Sequence, residues 1–345
     1  MGFGISESHL VLDSQPQIPN SKFDCHKYAT LRVYVLESRM MTARADEKVE
    51  FFDRSRSRLF GIAYRMLGTR DDAEDILQEA YMRWHEAELD EIETPEAWLV
   101  TVVTRLSIDR LRKASAKRET YIGPWLPEPI VTSRSPEEDA ELASSLSIAF
   151  LTMLERLSPT ERAVFLLHDI FDREYPEIAR ITNKTESAVR QMIHRARERV
   201  RTDKRRFQPK PAEHRQLIEK FTAAAYAGDE KTLLGLFAPD VALTSDGGGK
   251  VTAARKIVHG VAKIVRLFTV AFPSVRERLT IEIVEINGET GVVEYYEGQP
   301  FAATTLAFEN DKIARLYRVM NPDKLRSFEK AAGALSQTSD VDRLD

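Results

Sequence analysis

Residues 158–201, SPTERAVFLLHDIFDREYPEIARITNKTESAVRQMIHRARERVR, limit what this chain can fold into more than any other stretch. Ser158 precedes Pro159 and Glu161, which is an N-cap, a proline at the first helical position and an acid at the positive helix end. Ala163, Val164, Leu167 and Phe171 then recur at helical spacing. A short helix over 176–181 carries Ile178 and Ala179, small and apolar enough for a tight helix crossing, and Asn183 and Lys184 form a turn before Thr185 caps the next helix. In that last helix Val189, Ile193, Ala196 and Val200 make an apolar stripe, and Ser187, Arg190, Gln191, His194, Arg197 and Arg201 face the other way. Residues 190–206 hold eight Lys/Arg against two acids, Glu198 and Asp203. A solvated basic face is the plain reading. Three helices in this order followed by such a cluster predict a helix-turn-helix that reads duplex DNA in the major groove.

Global charge does not advertise that role, because the 345 residues carry a formal net charge of -4. Local clustering is what phosphates respond to. The single cysteine, Cys25, rules out an internal disulfide and a cysteine metal cluster, and no metal or cofactor is expected. A mean hydropathy of -0.35, with no long apolar run, argues against a membrane span. The opening residues lack a basic segment followed by an apolar one, so a cytoplasmic protein is expected.

Residues 1–45 are polar and read as a disordered arm, with one short strand possible at 31–36; Met40 and Met41 are alternative translation starts. Leu59, Ile62, Ala63 and Met66 predict a helix ending at Gly68, and Thr69 with Asp72 reads as a capping pair. The next helix buries Ala73, Ile76, Leu77, Ala80 and Trp84, and its other side carries Asp72, Asp75, Gln78 and Glu79, either a solvated face or a dock for a basic partner. A third helix opens at Thr94-Pro95 with Leu99, Val102, Val103 and Leu106 as its expected core stripe. Trp98, Arg105, Asp109 and Arg112 fall on the opposite side. A Trp among cations suits stacking on unpaired bases, and equally suits a core position at a helix start.

Prolines 124, 127, 129 and 136 mark residues 119–137 as an extended linker, in which Trp125 is an aromatic that needs a dock. Past Pro211 the pattern changes: two helices, then strands near 241–244, 279–286, 291–296, 303–308 and 313–319, with a helix over 257–270 interrupting them. Residues 309–312 form a hairpin turn. This order predicts an α+β cone around an antiparallel sheet. Asp246-Gly247-Gly248-Gly249-Lys250 lacks the features of a Walker loop and reads as a glycine-rich turn. Asn321-Pro322-Asp323-Lys324-Leu325 reads as a strand terminator.

The ordered strings GTRDDAEDILQE (68–79), AWLVTVVTRL (97–106) and the helix-turn-helix resemble the extracytoplasmic-function (ECF) sigma factors of RNA polymerase. The resemblance implies region two over 46–118, region four over 138–207, and no catalytic residue. It implies that Asp72, Asp75, Gln78 and Glu79 contact core polymerase. Trp98, Arg105, Asp109 and Arg112 would engage the −10 element, and Ser187, Arg190, Gln191, His194, Arg195, Arg197 and Arg201 the −35 element. The segment 211–330 resembles SnoaL-like domains, and 331–345 reads as a tail. The strings Trp125-Leu126-Pro127, Asp246–Lys250 and Asn321–Leu325 resemble signatures of ECF factors fused to such domains, implying regulatory contacts with the sigma regions. Expected partners are core RNA polymerase, promoter DNA and a small ligand in the cone, for a monomeric protein. Two rivals stand beside this: a ligand-sensing repressor or activator, and an enzymatic domain using Asp246, His259 or Tyr295.

Overall fold

The structure is a computed structural model that describes residues 25–88, 90, 92–118, 120–132, 146–204, 211–271 and 278–329. Helix α1 spans Cys25–Leu67, so residues 31–36 are helical, correcting the strand expected there. The rest of the expected arm, residues 1–24, and the tail from 330 onward lie outside the described residues. Helix α1 stops at Gly68, whose φ of +76° only glycine takes without cost. Helix α2 covers Arg70–Glu86 and buries the five expected residues, Ala73 through Trp84. Thr69 makes no side-chain cap here; its hydroxyl donates to Asp72 Oδ2 at 2.7 Å.

Helix α3, Pro95–Arg118, is phased differently from the expectation. Leu99, Val100, Val103, Thr104, Ser107, Ile108 and Leu111 are buried, whereas Val102 and Leu106 are only partly so. A one-sided stripe is the wrong template for this helix, because α2 packs on one flank and two helices of the next bundle pack on another. Ser107 survives burial by donating to Val103 O at 2.7 Å.

The second bundle holds α4 (Ile148–Leu154), α5 (Pro159–Asp169), α6 (Tyr175–Thr182) and α7 (Glu186–Lys204). A full capping box joins Ser158 and Glu161 at the start of α5. Asn183 ends α6 in the left-handed region at φ 52°, and the Thr185 hydroxyl accepts from Ala188 N at 3.2 Å to start α7. Val189, Ile193, Ala196 and Val200 are all buried.

The C-terminal domain begins with α8 (Pro211–Ala227) and α9 (Glu230–Leu236). Its strands are β1 (Phe237–Asp246), β2 (Val258–His259), β3 (Leu279–Ile286), β4 (Glu289–Tyr296), β5 (Gln299–Glu309) and β6 (Lys312–Val319). Helix α10, Val261–Arg266, continues as a π-helix through Ala271, so the helix expected over 257–270 is shorter and preceded by β2. The strands form one sheet in the order β2-β1-β6-β5-β4-β3. The sheet is not wholly antiparallel: β1 runs parallel to β6, because the chain leaves β1 through α10 and returns along the far strands. Asn310 and Asp311, both at positive φ, close the β5–β6 hairpin as expected.

Successive residues of a strand point to opposite faces, and here both faces are apolar. One face, with Val241, Leu243, Val292, Leu306 and Leu316, packs on Ile218, Phe221, Leu233 and Phe268 of the domain's own helical segments. The other, with Val293, Tyr295, Ala303, Ala307, Tyr317 and Val319, packs on Leu126 of the linker and Ile148 and Ala149 of α4. A sheet with two apolar faces cannot leave the second one in water. This places the linker and the helix-turn-helix bundle against it. The architecture is two all-α units followed by an α+β domain built on a six-stranded sheet.

Candidate functional site

The C-terminal ends of helices expose carbonyls that need donors; two arginines, Arg162 and Arg105, satisfy such carbonyls across the boundary between the helical units, and Arg118 does so within the first. The first end is that of α1. Arg162 of α5, fully buried, donates to Met66 O at 2.8 Å, to Leu154 O at 3.0 Å and to Glu155 Oε1 at 2.7 Å. Arg118, ending α3, donates to Leu67 O at 2.7 Å and pairs with the same Glu155. Burial lowers the basicity of Arg162, and Glu155 opposes that loss.

The second end is that of α6. Arg105, one of the residues expected at the −10 element, donates through Nε to Ile181 O and through Nη2 to Arg180 O, both at 2.9 Å. Arg112 reaches Thr160 at 3.4 Å and pairs with Asp109 at 3.0 Å. Trp98 is half-buried and packs on the buried Trp84, ring centroids 5.7 Å apart. Arg105 and Arg112 thus reach α6 and α5, and Arg105, Asp109 and Arg112 are exposed.

The α7 face is open. Ser187, Arg190, Gln191, His194, Arg195 and Arg197 are all exposed; the side chain of Arg201 lies outside the described residues. Arg197 is held by Asp169 at 2.8 Å, and that hydrogen bond raises its basicity. Arg190 lies over the Tyr175 ring at 4.7 Å. On α2, Gln78 and Glu79 are exposed, Glu79 pairing with Arg83, while Arg110 of α3 reaches Asp72 at 3.4 Å and Asp75 at 2.8 Å.

Three segments far apart in sequence meet at Asp246, the last residue of β1, whose exposure is 0%. Its carboxylate accepts from Tyr121 Oη at 2.6 Å, Leu126 N at 2.9 Å, Gly248 N at 3.0 Å and Lys324 Nζ at 2.7 Å. Lys324 also donates to Leu126 O at 2.5 Å, and Asn321 Nδ2 to Tyr121 Oη at 3.0 Å. Burial lowers the basicity of Lys324 and Asp246 works against that shift. Burial, reinforced by Asp246, raises the Tyr121 phenol above its usual range. Asn321 N donates to Asp246 O at 2.9 Å and Lys250 pairs with Asp323 at 2.7 Å, further ties between the glycine-rich turn and the 321–325 string. Pro322–Lys324 form a short 3-10 turn, after which Leu325 is buried in the shared core.

Trp125 sits between two cations, Arg118 at 3.6 Å and Lys324 at 4.2 Å from its ring centroid. The ring also covers Gly68: a Cβ there would lie 2.6 Å from Trp125 Cη2. Pro127 is buried beside Leu126. The structure thus brings Trp125-Leu126-Pro127, Asp246–Lys250 and Asn321–Leu325 together. It does not assemble Asp246, His259 and Tyr295. His259 is exposed on β2, and Tyr295 lies on β4, three strands from β1, about 14 Å at usual strand spacing.

Sequence reasoning missed Asn287, Tyr64 and Glu128. Buried Asn287 donates from Nδ2 to Tyr64 Oη at 2.6 Å and to Leu146 O at 3.0 Å; its Oδ1 accepts from Ile130 N at 2.9 Å. It thereby ties region 52–67, the linker, residue 146 and the sheet together. Its only signal was Asn-Gly, which reads as a hairpin turn, and its φ of 54° fits that role too. Tyr64 donates to Glu128 O at 2.5 Å, and Glu128 accepts from Arg70 N at 2.8 Å at the start of α2. Burial raises the Glu128 carboxyl despite that bond. Among the described residues no His, Cys, Asp and Glu cluster fits a metal ion, and no helix is long and apolar enough to cross a membrane.

Comparison with known proteins gives this arrangement a context. Residues 51–117 match the family Sigma-70 region 2, and residues 147–200 match Sigma-70, region 4. The ECF RNA polymerase sigma factor SigJ of Mycobacterium tuberculosis (strain ATCC 25618 / H37Rv) is 37% identical over 80% of this chain and 93% of its own length. The probable ECF RNA polymerase sigma factor SigI of Mycobacterium tuberculosis (strain CDC 1551 / Oshkosh) is 31% identical over 78% of this chain and 92% of its own. The crystal structure of SigJ superposes with a TM-score of 0.66 at 33% identity, covering 81% of this chain and 98% of that one.

Proposed function

The chain belongs to the ECF RNA polymerase sigma factors, and from that premise we propose that its SnoaL-like domain regulates it in cis by holding the two sigma regions in a compact arrangement. As a sigma factor it binds core RNA polymerase through the exposed side of α2, with Asp72, Asp75, Gln78 and Glu79. It reads the −35 element with the α7 face and engages the −10 element with Trp98, Arg105, Asp109 and Arg112 of α3. The polymerase supplies the nucleotide chemistry. The C-terminal domain acts by contact rather than turnover: Asp246 is engaged by Lys324 and the linker, and Tyr295 lies three strands away.

The observation that carries this reading is the fully buried Asp246 carboxylate, bonded at once to the linker and to the 321–325 string. While it holds, Leu126 stays in the sheet core and Arg105 stays bonded to the end of α6, so one cation of the −10 set is engaged within the protein while Asp109 and Arg112 remain exposed. Core polymerase binds the open arrangement more tightly and thereby draws the population toward it. The protein works as a monomer in the cytoplasm, where its polymerase is.

The test is promoter-specific transcription at limiting core polymerase, on promoters selected from a random library. Asp246→Ala combined with Lys324→Met removes the ion pair without leaving a lone buried charge. Initiation by this variant is expected to exceed that of the unaltered chain. Equal initiation, with the variant folded and its linker shown to be released, would refute control in cis.

A further inference from the structure

The turn that follows β1 borders a second feature, outside the cone: a cavity of about 340 Å³, within the range of small-molecule sites. Ile122 and Gly123 of the linker form one wall, and Gly249, Lys250, Thr252 and Arg255 contribute to the other. No carboxylate lines it. Gly249, at φ +72°, brings bare backbone to the linker: a Cβ there would lie 2.9 Å from Ile122 Cδ1. Among the described residues, the amides of Gly249, Thr252 and Arg255 make no backbone–backbone hydrogen bond. Turn amides, a hydroxyl and two cations around one hollow match a tetrahedral oxyanion better than a neutral or cationic ligand.

We propose that this cavity binds the phosphate group of a small molecule, either inorganic phosphate or a phosphate ester, with Arg255 and Lys250 as its cations. Lys250 is half-exposed and bonded to Asp323, so a bound phosphate competes with Asp323 for it. The linker wall is adjacent to Tyr121, whose hydroxyl bonds Asp246. Occupancy therefore loosens one of the ties between the glycine-rich turn and the 321–325 string. This consequence rests on the regulatory reading above; the binding itself does not.

The experiment is titration of the full chain with inorganic phosphate, with a simple sugar phosphate and with acetate, at matched ionic strength, followed by calorimetry. Saturable phosphate binding is expected, weakened about tenfold or more by Arg255→Gln. Lys256→Gln, an exposed neighbour outside the lining, is expected to leave it unchanged. Tighter binding of the sugar phosphate identifies an ester ligand, and tighter binding of inorganic phosphate identifies the free ion; both uphold the site. Absence of saturable binding, equal weakening by Lys256→Gln, or acetate binding as tightly as phosphate would overturn it. The Asp246→Ala/Lys324→Met transcription assay is independent of these titrations, so failure of the site and failure of regulation in cis remain distinguishable.

Discussion

Helices α3 and α7 both carry a face of cations and polar groups suited to nucleic acid, yet their surroundings differ. On α7 the readout side is open, with Gln191, His194 and Arg195 exposed. On α3, Arg105 is fixed on the carbonyls of Arg180 and Ile181, and Arg112 reaches Thr160. The difference teaches that cation content alone does not say whether a surface is available. What decides is whether a helix end with unsatisfied carbonyls lies nearby to compete with DNA for the same guanidinium. On α3 the partner of Arg105 is main chain at a helix end, whereas on α7 the partners are side chains, Asp169 for Arg197 and the Tyr175 ring for Arg190.

The largest expected break in that asymmetry is Asp246→Ala alone. It strands Lys324 in a buried site, which costs about 3–5 kcal/mol and shifts the compact-to-open ratio by more than about a hundredfold. Denaturant unfolding and proteolytic nicking within residues 120–132 measure it, and adding Lys324→Met is expected to restore part of the loss. Next comes Gly68→Ala, which combines positive φ with a collision against Trp125, at about 1–3 kcal/mol by the same denaturant assay. A paired comparison sharpens the contrast between the helices. Gln191→Ala is expected to lose about 1–3 kcal/mol of −35 discrimination with stability unchanged within about 0.5 kcal/mol. Arg105→Ala is expected to change both promoter opening and the exchange protection of α6.

The smallest effect is on alkaline stability. Burial raises the Tyr64 phenol above its usual value of about 10, so the folded state holds that proton more tightly than the unfolded chain. Its contribution is complete below about pH 10 and is lost as pH rises toward the folded value. Stability of the unaltered chain relative to Tyr64→Phe is therefore expected to be constant to about pH 10 and to shrink above it.

The helix-turn-helix was legible because its signals are local: the Ser158–Glu161 capping box, the Asn183 turn and the Val189–Val200 stripe all lie where spacing placed them. Region two was legible in its helices and less so in its faces. Leu106 and Val102 were expected inside α3, but a helix covered from two sides buries Val100, Thr104 and Ser107 as well. Strand existence followed from alternation, whereas the parallel β1–β6 pair did not, since pairing direction depends on how α10 and the later strands return the chain. The interest of the three strings at the Asp246 junction came from family resemblance. Residue chemistry alone left Asp246 in a turn, because its partners Tyr121, Leu126 and Lys324 stand 75 or more positions away and meet it only in the folded state. Asn287 shows the same limit: a turn signal correctly read still hides a side chain that bonds three other segments.

The central claim is that the junction at Asp246 keeps α3 and α7 together. Pulsed dipolar spectroscopy between a spin label on the exposed side of α3 and another on that of α7, in the full chain, tests it most directly. One narrow, short distance is expected in the unaltered protein. A second, longer population is expected in Asp246→Ala/Lys324→Met and on addition of core polymerase. An identical narrow distribution in all three samples, with polymerase binding verified, would contradict it.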